Sequence, residues 1–337
     1  MLVHGDDFVA SGERSKILKF QKQLAKRFTI KSKVVGSGGQ VTSRSKAASS
    51  SFSGLAAIDT SGKELKEARI LNRVVRWTTE GWEYEADQRH AELIVKAMGL
   101  EKARPVTSPG EEEPAWKLED NEKPLSVSEA THYRMVAARA NYLATDRTDI
   151  QLATKECCRG MATPQVQHLS SLKRLARYLL GKPRMIWKYA WQTPENLTVY
   201  SDSDWAGCKR TARSTSSGII MRGQHHVKSW SITQKRVTLS SAEAELGALV
   251  KASAEAIGIV QMAEGLGDKV SAEVYVDSSA ALSVTQRKGT GKMRHVRIGQ
   301  LWVQEAAEQG ELSYKKVKGT GNPADLGTKH LTAKKIE

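Results

Sequence analysis

From residue 195 onward the apolar residues stop recurring at helical spacing and begin to alternate, which restricts the C-terminal part of the chain to a layered α/β arrangement. Leu197 to Asp202 alternates, and Gly218 to Met221 and His226 to Trp230 read as two arms of a hairpin about Gly223. Ala242 to Met262 has the length and period of a helix, and Glu273 to Asp277 is a strand. A further helix near Leu301 to Ala307 precedes a last strand, Leu312 to Val317. The expected order is βββαβαβ, a mixed sheet with helices.

The region before it is mainly helical. Residues 1–35 read as strand, turn and an amphipathic helix carrying Ile17, Leu18, Leu24 and Phe28. Residues 36–62 are Ser, Gly and Ala in such excess that they cannot bury enough surface to order themselves, and read as an insert or linker. Asp87 caps a helix with Leu93, Ile94, Ala97 and Met98 on one stripe and Gly99 at its end. After a Pro-rich acidic stretch, Pro105 to Pro124, two more helices follow. One runs through Tyr133, Val136, Ala140 and Leu143. The other runs through Val166, Leu169, Leu172, Ala176 and Leu179, and is stopped by Gly181 and Pro183. The latter carries Lys173, Arg174 and Arg177 off its apolar stripe, a pattern open to two readings: a solvated face, or contact with a phosphate backbone.

Composition narrows the partners. With 52 Lys plus Arg against 37 Asp plus Glu among 337 residues, the net charge of +15 favours a polyanion, nucleic acid first. The apolar runs read as too short for a bilayer, so no membrane is expected, and the N-terminus lacks the pattern of a secretory signal. Cys157, Cys158 and Cys208 form neither a disulfide framework nor a zinc ribbon, and point to a reducing, intracellular compartment.

Four acids fall where strands end or helices begin: Asp202, Glu245, Asp277 and Asp325. In open α/β sheets reactive groups gather at the carboxyl ends of strands, so Asp202 and Asp277 can share a site. Carboxylate oxygens suit Mg²⁺, and two such ions about 3.5–4 Å apart activate water and stabilise the leaving oxygen of a phosphodiester. Ser240 and Glu243 make a capping box in which Glu243 folds back to the Ser240 amide; Glu245, roughly 200° around the helix, is left to bind metal. Asp204 shares strand parity with Asp202 but precedes Trp-Ala-Gly in an apparent turn, which ranks Asp202 first. Each acid taken singly also reads as an ordinary solvated group; their order makes the case.

The segments YSDSDWAGCKRTARSTSSG, SWSITQKRVTLSSAEAELGAL, VYVDSSAAL and VKGTGNPADLGTKHL closely resemble the ribonuclease H domain of copia-type LTR retrotransposon Pol polyproteins. The helical stretch from Tyr133 to Gly181 resembles the connection between polymerase and ribonuclease H in the same elements, and HGDDF resembles the two-Asp hairpin ending a reverse transcriptase palm. The resemblance implies a division into a palm remnant (1–35), the insert (36–62), a thumb-like segment (63–124), a helical connection (125–194) and a ribonuclease H-like α/β domain (195–337). It implies that Asp202, Glu245, Asp277 and Asp325 hold two Mg²⁺ ions, with Mn²⁺ as substitute, and hydrolyse the RNA of RNA/DNA hybrids. The family's late-loop Lys-His-Ile is matched by Arg294, His295 and Val296, making Arg294 and His295 candidates for positioning substrate, with a plain surface histidine as the other reading.

Many ribonucleases H place a histidine just before the last Asp; Thr320 stands nearby here. Asp6 and Asp7 match the polymerase motif, but His4 and Gly5 replace the usual preceding residues and no third carboxylate from an earlier strand accompanies them. Polymerase activity is therefore not expected, and the chain reads as a truncated copy. Such a protein would work in the cytoplasm, in a virus-like particle, or in the nucleus, alongside other Pol or capsid components. The alternative of another class is a non-catalytic nucleic-acid-binding remnant of a decayed element.

Overall fold

A computed structural model describes residues 2–4, 7–36, 65–112, 122–194, 196–291 and 293–336. Most of the Ser/Gly-rich insert and Asp6 lie outside them. The chain forms two compact units, one of residues 1–86 with 186–191, the other of 87–185 with 192–337. These boundaries follow packing, whereas the five-part division above follows texture and resemblance.

In the first unit, β1 (Leu2–His4) pairs antiparallel with β2 (Asp7–Val9), and α1 spans Arg14–Ala25. A four-stranded antiparallel sheet follows in the order β3 (Glu67–Ile70), β4 (Arg73–Thr78), β5 (Gly81–Glu85) and β6 (Ile186–Ala190). Sequence reasoning does not anticipate this sheet. Its cohesion comes from cross-strand aromatic pairs, Trp77 with Trp82, Trp82 with Tyr189 and Tyr84 with Trp187, two of which depend on a strand far along the chain. Gly81 is required where β5 meets β6: φ is +153°, and a Cβ there would lie 2.0 Å from the Tyr189 carbonyl oxygen.

In the second unit, α2 (Gln88–Ala97) begins at Asp87, whose carboxylate accepts the Arg89 amide as the sequence predicts. Helix α3 (Val127–Leu143) opens with a capping box, Ser126 with Glu129, and buries Tyr133, Val136, Ala140 and Leu143. Helix α4 (Gln151–Arg159) escapes sequence reading, being short and only weakly apolar. Helix α5 (Val166–Gly181) ends where expected, but its buried stripe is Leu172, Leu175, Ala176, Tyr178 and Leu179, while Val166 is exposed. Behind these helices Arg147 is 1% exposed. Its guanidinium donates to both Asp149 oxygens at 2.9 and 2.7 Å and to the Lys182 carbonyl at 3.0 Å, and Tyr178 donates to Asp149 at 2.8 Å. All three cysteines are free.

The C-terminal sheet is mixed and carries helices, the α/β arrangement the sequence predicts. Strands β7 (Asn196–Asp204), β8 (Arg213–Arg222) and β9 (His225–Val237) form an antiparallel meander. Helix α6 (Ser241–Gly265) crosses to β10 (Ser271–Val276), which lies parallel to β7 on its other side. Two short helices, α7 (Ser279–Thr285) and α8 (Trp302–Glu308), lead to β11 (Ser313–Lys316) at the edge, so the sheet order is β11-β10-β7-β8-β9. The order βββαβαβ holds apart from α7, a second helix in the last crossover that Ser278 caps. Strand β8 starts at Arg213, earlier than the Gly218 its sequence suggests, and Ser214 to Ser217 are buried within the sheet. One face of the sheet packs Leu197, Val199, Ile220 and Val274 against Ala252 and Ala256 of α6. A second cluster joins Leu246 and Leu249 to Val276, Val284 and Val303. Helix α6, 25 residues with a window of mean hydropathy 1.3, is long and apolar enough to cross a membrane by length and composition, contrary to the sequence reading.

Candidate metal centre

The register between β7 and β10 brings the first two acids together. Val276 pairs with Ser201, so Asp277 emerges beside Asp202 at the carboxyl ends of two parallel neighbours. Two residues earlier on the same face, Tyr200 and Tyr275 lie side by side with ring centroids 5.5 Å apart. Glu245 comes from the first turns of α6, and its Oε1 accepts the Ser203 amide at 3.3 Å. Asp202, Glu245 and Asp277 each offer an oxygen within 4.8 Å of the others.

The rivals have other duties. Asp204 Oδ1 takes the Thr215 amide and so braces the strand pair. Glu243 Oε2 accepts the Leu239 amide at 2.7 Å and lies 3.1 Å from His295 Nε2, while Ser240 Oγ accepts the Glu243 amide at 3.2 Å. The cap therefore forms, but its return bond goes to Leu239 rather than to the Ser240 amide predicted from sequence.

Asp325 sits in a 3₁₀ segment, Pro323–Gly327, held against β7 by Asn322, whose side-chain amide donates to the Ser201 carbonyl at 2.9 Å. Gly327 passes so close to β8 that a Cβ would lie 2.2 Å from Ser217 Oγ. Asp325 is not among the three oxygens that converge. Between it and Asp202 lies Lys329, with Nζ 2.5 Å from Asp325 Oδ1 and 3.8 Å from Asp202 Oδ2. Thr328 Oγ1 donates to Asp202 Oδ2. Sequence reasoning missed Asn322, Thr328 and Lys329; the available signal was their spacing around Asp325, since residues three and four further on return to the same side of a helical turn.

Electrostatics mark the cluster as under-compensated. Burial, with the Asp202 and Asp277 charges added, pushes the Glu245 carboxyl up to about 8. Burial likewise raises Asp202 to about 6, against the Thr328 hydrogen bond and the Lys329 charge, which pull it down. Lys329 is held above the usual lysine value: burial opposes this, but its hydrogen bond to Asp325 and the charges of Asp202, Asp325 and Asp277 prevail. Glu245 Oε2 is buried and has no hydrogen-bond partner among the described residues. A buried carboxylate oxygen left unpaired beside two other carboxylates fits a hard divalent cation, for which oxygen ligands of this type are the natural donors.

A pH dependence follows. Acids whose folded-state pKa exceeds the unfolded value keep their protons longer in the native chain, so stability is fullest below about pH 4 and is lost as pH rises through about 6 and 8. The metal-free melting temperature is expected to fall across that window. Glu245→Gln should flatten its upper half, and saturating Mg²⁺ should do the same in the native chain, because cation binding displaces the protons. A melting temperature that rises steadily from pH 5 to 8 would refute this.

The remaining sequence candidates are less convergent. His295 is on Glu243, and Arg294 is exposed. Arg174 is paired with Glu111 at 2.6 Å and with Ser108 at 2.9 Å, and Arg177 donates to the Arg104 carbonyl at 2.7 Å, so two of the three basic residues on α5 hold the loop beside them. Lys173 is exposed and attracts Glu129 electrostatically. Asp7 opens β2, and Asp6 lies outside the described residues.

No family model matches the chain. It is 32% identical over 234 residues to the retrovirus-related Pol polyprotein from transposon RE1 of Arabidopsis thaliana, covering 68% of this chain and 16% of that protein. It is 30% identical over 251 residues to the corresponding protein from transposon RE2 of the same plant, covering 73% of this chain and 17% of that protein. The chain thus spans about a sixth of the length of these curated relatives. Among solved structures, LC11-RNase H1, isolated from compost, is similar at 16% identity with a TM-score of 0.33, over 42% of this chain and 99% of that one.

Proposed function

This chain belongs to the retrovirus-related Pol polyproteins of copia-type transposons, and from that descent and the carboxylate geometry we propose that its C-terminal sheet hydrolyses the RNA strand of RNA/DNA hybrids with Mg²⁺. The observation that carries this reading is the meeting of Asp202, Glu245 and Asp277 from β7, α6 and β10, with one buried Glu245 oxygen unpaired. A divalent cation bound there supplies Lewis-acid polarisation of a phosphodiester and an acidified water at neutral pH. The chain's own residues do the rest. Asp202, Glu245 and Asp277 present oxygens from rigid elements, Thr328 fixes the Asp202 carboxylate, and Asn322 locks the Asp325 segment to the strand that bears Asp202. A hybrid would be recognised by its shape and 2′-hydroxyls, and the net charge of +15 would draw its backbone in.

Within the five-part division, 195–337 is then the nuclease and 125–194 its connection, with residues 63–124 thumb-like and 1–35 palm-derived.

The test is purified protein with labelled RNA/DNA hybrid, in Mg²⁺, in Mn²⁺ and in EDTA. Cleavage of the RNA strand that EDTA abolishes is expected, together with a melting temperature raised by Mg²⁺ in the native chain and not in Asp277→Asn. Hybrid binding without cleavage in either ion would instead identify a non-catalytic nucleic-acid-binding remnant.

A further inference from the structure

Asp325 is the one of the four acids outside the converging three, so a second divalent cation held by these acids would need Asp325 together with Asp202. The space between those two already holds a positive charge. Lys329 Nζ contacts Asp325 Oδ1 at 2.5 Å and lies 3.8 Å from Asp202 Oδ2, and Asp325 is not part of the group of oxygens that converge within 4.8 Å. The backbone fixes the arrangement, since the amides of Thr328 and Lys329 both donate to the Asp325 carbonyl, at 3.1 and 2.9 Å, and return the lysine to the side of the aspartate.

From this geometry we infer that the Lys329 ammonium takes the second cation position, so that the site binds one divalent ion, on Asp202, Glu245 and Asp277. The inference rests on the reading of those three acids as a cation site. Asp325 then serves as the anchor of Lys329 rather than as a metal ligand.

The chemistry supports an asymmetric pair. An ammonium has three N–H donors and can hold carboxylate and phosphate oxygens together as a compact charge, but it accepts no lone pairs and cannot acidify water. The Lys329 side chain is 49% exposed while that of Asp202 is 3% exposed, so the ammonium keeps one side open to an incoming phosphodiester. It would neutralise a non-bridging phosphate oxygen beside the ion without needing a second metal from solution. A lysine reaching both acids also removes part of their mutual repulsion before any ion arrives.

The test counts Mn²⁺ bound to the full chain at saturation of the tight component, read by electron paramagnetic resonance from the loss of the free-ion signal. The native chain is expected to bind one ion and Lys329→Met two, because the substitution frees Asp202 and Asp325 together. Lys329→Arg, which keeps the charge, should stay at one. If Lys329→Met does not fold, as judged by circular dichroism, Lys329→Gln reads the same count. Two ions in the native chain, or one ion in both native and Lys329→Met, would overturn the inference while leaving the three-carboxylate site intact. No tight Mn²⁺ in either would overturn the cation site itself, and this inference with it.

Discussion

Glu245→Gln is expected to lower hybrid cleavage by more than about 100-fold at saturating Mg²⁺, since even partners one shell removed from a metal cost about 10–100-fold when replaced. Among the described residues the buried Glu245 Oε2 has no hydrogen bond to lose, so replacing it with an amide removes charge from the cluster without disturbing a contact of that atom. Glu243→Gln supplies the control. It keeps an oxygen for the Leu239 amide and should leave the rate nearly intact, whereas Glu243→Ala should cost on the order of 1 kcal/mol of stability with little change in rate. Initial rates on a labelled hybrid, with folding checked by circular dichroism, decide the matter. The reverse pattern would make Glu243 the metal-facing acid.

The second large effect lies away from the acids. Arg147→Ala should destabilise the second unit by about 3–5 kcal/mol, because it leaves the Asp149 carboxylate buried without its counter-ion and, among the described residues, with Tyr178 as its remaining side-chain hydrogen-bond donor. The double replacement Arg147→Met with Asp149→Leu should recover most of the loss, since apolar groups of similar volume often replace a buried ion pair without net cost. Urea denaturation followed by tryptophan fluorescence measures both. A single-mutant loss below about 1 kcal/mol would mean that water reaches Asp149 once the arginine is gone.

Legibility in the sequence followed the range of the interactions. Helices α3 and α5 are readable because their apolar periodicity, and for α5 the stop at Gly181 and Pro183, is local. Strands β7 and β10 were readable because alternation and an acid at the end coincide on the same few residues. Apolar alternation starts the second strand of the meander at Gly218, whereas the strand extends back through Ser214 to Ser217, polar residues that are buried and of which Thr215 to Ser217 pair with β7. The sheet β3-β4-β5-β6 was invisible because Trp187 and Tyr189 find their partners only in three dimensions. At the site, the four acids were named from their places along the chain, and three of them converge. The part played by Lys329 was not legible, because an i, i+4 pair with Asp325 is commonplace on helix surfaces and becomes informative only when Asp202 stands opposite.

The discontinuous first unit has a consequence for the order in which this protein can mature on the ribosome. Its sheet lacks an edge strand until residues 186–190 have left the exit tunnel, by which time α2 to α5, the intervening stretch, are already outside. The nascent β5 therefore waits with an open row of amides and carbonyls through the synthesis of about a hundred residues, several seconds at roughly 5–20 residues per second. During that interval β5 is a template for any extended segment nearby. Translational pausing while residues 186–190 are still inside the tunnel should lengthen the exposure and raise the aggregated fraction, whereas pausing once they have emerged should not.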